Sequence, residues 1–264
     1  MTPVLLLHGF LGRGADWAPV AARLGRRTLA PDLPGHGDGD ADSWHTPGGP
    51  PNPAGDAEPF DVPDPQPGRL AHTADGLAER LAAAGIARAD VAGYSMGGRL
   101  ALLFALRHPD RVRRLVLVSA SPGLRTEAER TARRVHDAAL AADLVADFPG
   151  FLDRWTRQPL FASLSEAQRA QIVQDRLAHG RPEALAQALV GLGTGAMPSL
   201  WEPLRTIRVP AHAVAGALDA KFVALAHAMA GTGPVTPHVL PGAGHALLTE
   251  APDALADLLQ TLLD

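Results

Sequence analysis

"VAGYSMGGR", residues 91–99, decides how the rest of the chain is read. An apolar run ends in Gly93-Tyr94-Ser95-Met96-Gly97, and a helix-forming stretch, "GGRLALLFAL", follows at once. A G-x-S-x-G between a strand and a helix forces a tight turn, in which glycines relieve the crowding and the serine is held out at the strand tip. Arg99 then falls four residues beyond Ser95, on the same helical face. Taken alone the pattern also occurs in ordinary glycine-serine loops, so its meaning depends on what stands at the other strand ends.

Those ends are marked along the chain. "VLLLHG" (4–9), "RTLAPDLPGHG" (27–37), "ADVAGYS" (89–95), "RLVLVSASPG" (114–123), "HAVAGALD" (212–219) and "PHVLPGAGH" (237–245) each pair a short apolar core with a turn signal at the C-terminal side. Helical spacing is expected over 70–84, 97–108 and 251–263, where Leu255, Leu258, Leu259 and Leu262 share a face. The expected class is α/β, a mostly parallel sheet flanked by helices, with ligands beyond the carboxyl ends of the strands. Residues 124–205 carry Arg, Glu, Ala and Leu without a strand signal and break at Pro149-Gly150 and Gly180-Arg181-Pro182, which predicts a helical cap inserted between two strands. The core is then 1–123 and 206–264, interrupted over 38–68 by a proline- and glycine-rich loop holding Trp44, His45 and Phe60.

Composition narrows the function classes. The 264 residues are 46% hydrophobic, enough for one domain with an elaboration. A net charge of -4, from 28 acidic and 24 basic residues spread along the chain, leaves no footprint for nucleic acid or an anionic membrane. No cysteine is present, which removes thiolate nucleophiles and thiolate metal sites. Neither a metal-ligand spacing nor a phosphate-cradling glycine loop is found, and no signal peptide or membrane span is expected, so the reading is a cytoplasmic protein acting on a small molecule. Oligomeric state is left open. Lys221 is the single lysine, so an anion site here uses arginine.

Ser95, then Asp219 after "HAVAGAL", then His245 after "PHVLPGAG" give the order Ser, Asp, His at three strand ends, as a catalytic triad on such a sheet requires. Asp32, Glu202 and Glu250 are the rival acids. In "LLLHGF" the Phe10 N–H pairs with the Met96 N–H as a candidate oxyanion hole, and His8 is assigned to shaping that loop.

"LLLHGFLGRGADW", "DLPGHG", "GYSMGG", "GALD" and "GAGH" resemble the α/β-hydrolase family over nearly the whole chain outside the proline-rich loop. "GYSMGGRLAL", "SPGLRTEAERTARR", "FLDRWTRQPLFASLSEAQR", "DRLAHG" and "GTGAMPSLWEPL" resemble more narrowly the 2-succinyl-6-hydroxy-2,4-cyclohexadiene-1-carboxylate synthases of menaquinone biosynthesis. That resemblance implies a cofactor-free lyase that eliminates pyruvate from a ring bearing three carboxylates. It implies Arg99, Arg133 and Arg176 as carboxylate ligands, with Tyr94 and Trp155 lining the pocket. Arg130 and Arg134 flank Arg133 and leave its register open; Trp155 also suits a role in fixing the cap to the core. Arg125 and Arg157 are read as structural. Two other readings stay open at this point: a carboxylesterase or carbon–carbon bond hydrolase with Ser95 as nucleophile, and a non-catalytic ligand-binding protein.

Overall fold

The computed structural model describes residues 1–38 and 68–264. Trp44, His45 and Phe60 of the proline-rich stretch lie outside the described residues.

In chain order the elements are β1 (Val4–Leu7), α1 (Ala18–Leu24), β2 (Thr28–Leu29), α2 (Arg69–Ala83), β3 (Ala89–Tyr94), α3 (Met96–Arg107), β4 (Val112–Val118), α4 (Glu127–Ala146), α5 (Phe148–Thr156), α6 (Glu166–His179), α7 (Pro182–Leu192), β5 (Ala211–Gly216), α8 (Ala220–Ala230), β6 (Val235–Leu240), α9 (Leu247–Glu250) and α10 (Pro252–Leu263). Among the described residues the strands form one parallel sheet in the order β2-β1-β3-β4-β5-β6. Alternate side chains of each strand serve opposite layers. Leu5, Leu7, Val91, Leu115, Leu117 and Ala213 pack with α2, α3 and α8, while Val4, Leu6, Ala92, Val116, Val118 and Val214 pack with α1 and α10. Both faces are covered, and for that reason the strands read as unbroken apolar runs.

The run at 27–37 supplies only two strand residues. Pro31 and Pro34 lack the N–H that a ladder needs, and Gly35 and Gly37 take φ of 77° and 51°, so the chain turns out of the sheet after Leu29. Three helices outside the cap, α1, α8 and α9, are not singled out from sequence; α1 is short, has Pro19 in its first turn and stops at left-handed Gly25, φ 59°.

Helices α4–α7 lie between β4 and β5 and close on their own apolar cluster, built around Leu144, Phe151, Leu152, Leu185 and Leu189. Two of them begin with capping boxes, Thr126 with Glu129 and Ser165 with Gln168. The expected break at Pro149-Gly150 falls at Asp147, whose carboxylate caps the Gly150 N–H at 3.0 Å and leaves Pro149 in the first turn of α5.

The amino edge of the sheet is tied by charge. Asp90 is fully buried and receives Arg113 at 2.7 and 2.6 Å and Arg26 as well, and both arginines also reach the Leu263 carbonyl.

Candidate active site

The turn from β3 to α3 places Ser95 at φ 52° and ψ −108°, a strained conformation for a residue with a side chain. Two things hold it there: the Ser95 N–H donates to the Val118 carbonyl of β4 at 2.8 Å, and the turn is packed without room for side chains on its glycines. A Cβ on Gly93 would stand 2.3 Å from the Gly97 carbonyl oxygen, and one on Gly97 would stand 2.2 Å from the carbonyl oxygen of Leu7. The first turn of α3 is thereby pressed onto the end of β1.

His245, 1% exposed, follows β6 and meets both expected partners. Its Nδ1 lies 2.8 Å from Asp219 Oδ2 and its Nε2 lies 3.2 Å from Ser95 Oγ. Asp219 is the N-cap of α8, where Oδ1 accepts the Phe222 N–H at 3.1 Å, so the helix end favours its negative charge. The ring of Phe222 sits 4.5 Å from the imidazole, and Tyr94 and Phe161 complete an aromatic sleeve at 5.6 and 5.7 Å. This sleeve dries the triad and strengthens its hydrogen bonds.

Two groups that sequence reading did not place in this role hold the histidine loop. Glu250 accepts the N–H of Gly244 at 2.6 Å and of Ala246 at 2.9 Å, one on each side of His245. Ser119, at φ 47° after β4, donates its hydroxyl to the His245 carbonyl at 3.0 Å. Glu250, a rival acid by sequence, serves as a backbone brace. Asp32, another rival, accepts the N–H groups of Gly14 at 2.6 Å and Asp38 at 2.9 Å, and Glu202 is exposed beside Arg205.

As the first residue of α3, Met96 owns one of the N–H groups that a helix cannot satisfy internally. Phe10 follows β1, against which that same helix end is packed. The loop carrying Phe10 is set by His8, fully buried: Nε2 accepts the Leu33 N–H at 2.8 Å, so Nδ1 holds the proton and donates to the Gly9 carbonyl at 2.8 Å. Burial pushes the His8 imidazole down to about 4. His36, equally enclosed, meets His8 edge-on at 5.0 Å and Phe10 at 5.7 Å, and burial pushes it down to about 3.

The predicted arginines fall into two groups. Arg99 lies partly open to solvent yet deep among protein atoms; Nη1 donates to the Leu192 carbonyl at 2.9 Å, and no carboxylate among the described residues pairs with it. Burial first, then the neighbouring charge of Arg133, lowers its guanidinium to about 10. Arg133 pairs with buried Asp137 at 2.7 Å, whereas Arg130 and Arg134 both pair with exposed Glu127. The register that places an arginine beside Arg99 is therefore that of Arg133. Arg176 stands elsewhere, on α6, gripping both oxygens of Asp16 at 2.9 and 2.6 Å.

A cavity of about 370 Å³ opens between core and cap, with Phe10, Tyr94, Trp155, Phe161 and Arg176 in its wall. Burial pushes the Tyr94 phenol upward, which keeps it neutral. Trp155 meets Phe10 edge-on at 5.3 Å and stacks on Phe151 at 5.6 Å, so it both lines the cavity and fixes cap to core. Arg99 and Arg133 are not in this wall. Arg125 covers Trp201 at 3.6 Å, and Arg157 pairs with Asp153 and Glu166 at the surface.

Comparison with known proteins agrees with this architecture. A family model described as the α/β hydrolase fold matches residues 2–221. A putative 2-succinyl-6-hydroxy-2,4-cyclohexadiene-1-carboxylate synthase of Bacillus subtilis (strain 168) is 34% identical, the match covering 98% of this chain and 89% of that protein. The synthase of Enterobacter sp. (strain 638) is 32% identical, over 98% and 91%. Among solved structures, MenH from S. aureus aligns with a TM-score of 0.82 at 29% identity, covering 99% of this chain and 93% of that one. A thermophilic esterase from Thermogutta terrifontis shares the fold, with a TM-score of 0.77 at 24% identity over 100% and 89% of the two chains. With its serine turn, sheet order and cap, the chain belongs to the α/β-hydrolase fold family, on the branch of the 2-succinyl-6-hydroxy-2,4-cyclohexadiene-1-carboxylate synthases.

Proposed function

We propose that this protein is a cytoplasmic lyase of menaquinone biosynthesis. It eliminates pyruvate from 2-succinyl-5-enolpyruvyl-6-hydroxy-3-cyclohexene-1-carboxylate to give 2-succinyl-6-hydroxy-2,4-cyclohexadiene-1-carboxylate. The observation that carries this reading beyond the fold is Arg99: a permanent cation, one helical turn past Ser95, with no carboxylate partner among the described residues. A cation set deep among protein atoms without a counter-ion is costly, and an anionic substrate beside the serine relieves that cost. A simple ester would not.

The triad geometry suits a base as well as a nucleophile. His245, oriented through Nδ1 by Asp219, accepts the Ser95 proton at Nε2. The serine oxygen then removes a proton from the ring carbon next to the succinyl carbonyl. Negative charge moves into that carbonyl oxygen, where the Phe10 and Met96 N–H groups receive it. As the ring double bond forms, the carbon–oxygen bond to the enolpyruvyl group breaks. The departing enolate takes up the proton held by His245 and becomes pyruvate, so water is neither consumed nor released.

The test is pyruvate release by the purified protein from substrate generated in place by the preceding enzyme, against Ser95→Ala, Arg99→Ala and a protein-free blank. A large acceleration is expected, lost in Ser95→Ala and reduced in Arg99→Ala with the fold intact. A rate equal to the blank, with aryl esters cleaved instead, moves the protein to the serine hydrolases.

A further inference from the structure

Two ion pairs cross the seam between core and cap in opposite directions. Arg13, in the core loop after β1, donates from Nη2 to Asp175 Oδ1 on α6 at 2.7 Å. Arg176, the next residue on α6, donates back to both oxygens of Asp16 in the core and also to Asp175 Oδ2. All four side chains line the 370 Å³ cavity. The two carboxylates are not equivalent. Asp16 is anchored within its own layer, accepting the Arg13 N–H at 3.2 Å, and serves to orient Arg176. Asp175 instead places one oxygen on each of two guanidiniums, one from the core and one from the cap.

A carboxylate bridging two arginines in a cavity wall has the geometry with which a ligand carboxylate is held. Burial draws the Asp175 carboxyl upward, but the Arg13 hydrogen bond and the Arg176 charge outweigh it and keep it below the usual range. It therefore stays an anion and continues to compete for both cations.

We propose that Asp175 stands in for a substrate carboxylate, and that a polycarboxylate entering the cavity takes its place between Arg13 and Arg176. Arg13 is then a further carboxylate-binding residue, and Asp175 sets how anionic a ligand must be to enter. The exchange swaps one carboxylate for another, so the two arginines lose no counter-ion and the cavity admits anions selectively over neutral molecules of equal size. The identity of the physiological ligand rests on the lyase reading; the exchange itself does not.

Citrate, a stable tricarboxylate, is the probe, titrated calorimetrically into wild type, Asp175→Asn, Arg13→Gln and the double variant. Asp175→Asn removes the competing charge and keeps the shape, so citrate should bind about tenfold more tightly, a gain that the added Arg13→Gln abolishes. Arg13→Gln alone should weaken binding, which keeps the proposal open to refutation if Asp175→Asn does not fold. Unchanged or weaker citrate binding in a folded Asp175→Asn protein overturns the exchange, as does a double variant that binds as tightly as Asp175→Asn. Tighter binding without any pyruvate release would refute the lyase reading alone. Normal pyruvate release with citrate binding indifferent to both residues would refute this inference alone.

Discussion

Acid should weaken this protein through two histidines that touch no substrate. His8 and His36 are 0% and 1% exposed and hold the loop of Phe10 in neutral form. Burial lowers them from 6.5 to about 4 and about 3, so below pH 6.5 the unfolded chain binds protons that the folded chain refuses. Stability from each is complete above pH 6.5 and is lost as pH falls. Between pH 6 and pH 5 the loss works out at about 1 kcal/mol per histidine, roughly 2 kcal/mol for the pair. Half-buried His212 and His238, also lowered by burial, add loss of the same sign. The assay is urea unfolding at half-unit steps from pH 7 to pH 5, on wild type and on His36→Asn. The asparagine retains a donor for the Pro34 carbonyl that Nδ1 of His36 reaches at 2.9 Å. The variant should show a loss smaller by about 1 kcal/mol over that interval. Equal losses in the two proteins would refute the argument that His36 is held neutral by the fold.

Three further outcomes follow from particular contacts. Glu250→Gln puts an amide donor against one of the two N–H groups flanking His245, and the resulting drift of the imidazole should lower kcat by about tenfold to a hundredfold with KM little changed, read in steady-state pyruvate release. Asp90→Asn leaves Arg26, 5% exposed, beside Arg113 without their shared carboxylate; it should cost about 3 kcal/mol, seen as a Tm lower by roughly 6–12 °C, with activity at 25 °C largely retained. Gly97→Ala drives a methyl group into the carbonyl oxygens of Leu7 and His8, 2.2 and 2.5 Å from its Cβ, so activity should fall together with Tm, and a variant as stable and active as wild type would remove the close-packing argument.

Much of the candidate site is legible in the sequence because its signals are local. A buried parallel strand needs an apolar run, and its end needs a turn residue; those rules alone put Ser95, Asp219 and His245 at strand ends in the order Ser, Asp, His. The same rules overreached at 27–37, where prolines and left-handed glycines cut the strand to Thr28–Leu29. Glu250 illustrates what a sequence cannot rank. As a carboxylate near His245 it competed with Asp219, and only the packing of α9 against the histidine loop turned it into a brace for two N–H groups.

What the sequence by itself determined is the α/β architecture, the serine turn and the residue types at each strand end, since hydrophobic period and turn chemistry act over a few residues. Tertiary structure alone decided which charges meet. Arg133 instead of Arg130 or Arg134 lies by Arg99, and Arg13 finds Asp175 across 162 residues of chain. The partner of a long, flexible cation is set by the layers that close around it, and no local pattern in the sequence encodes that closure.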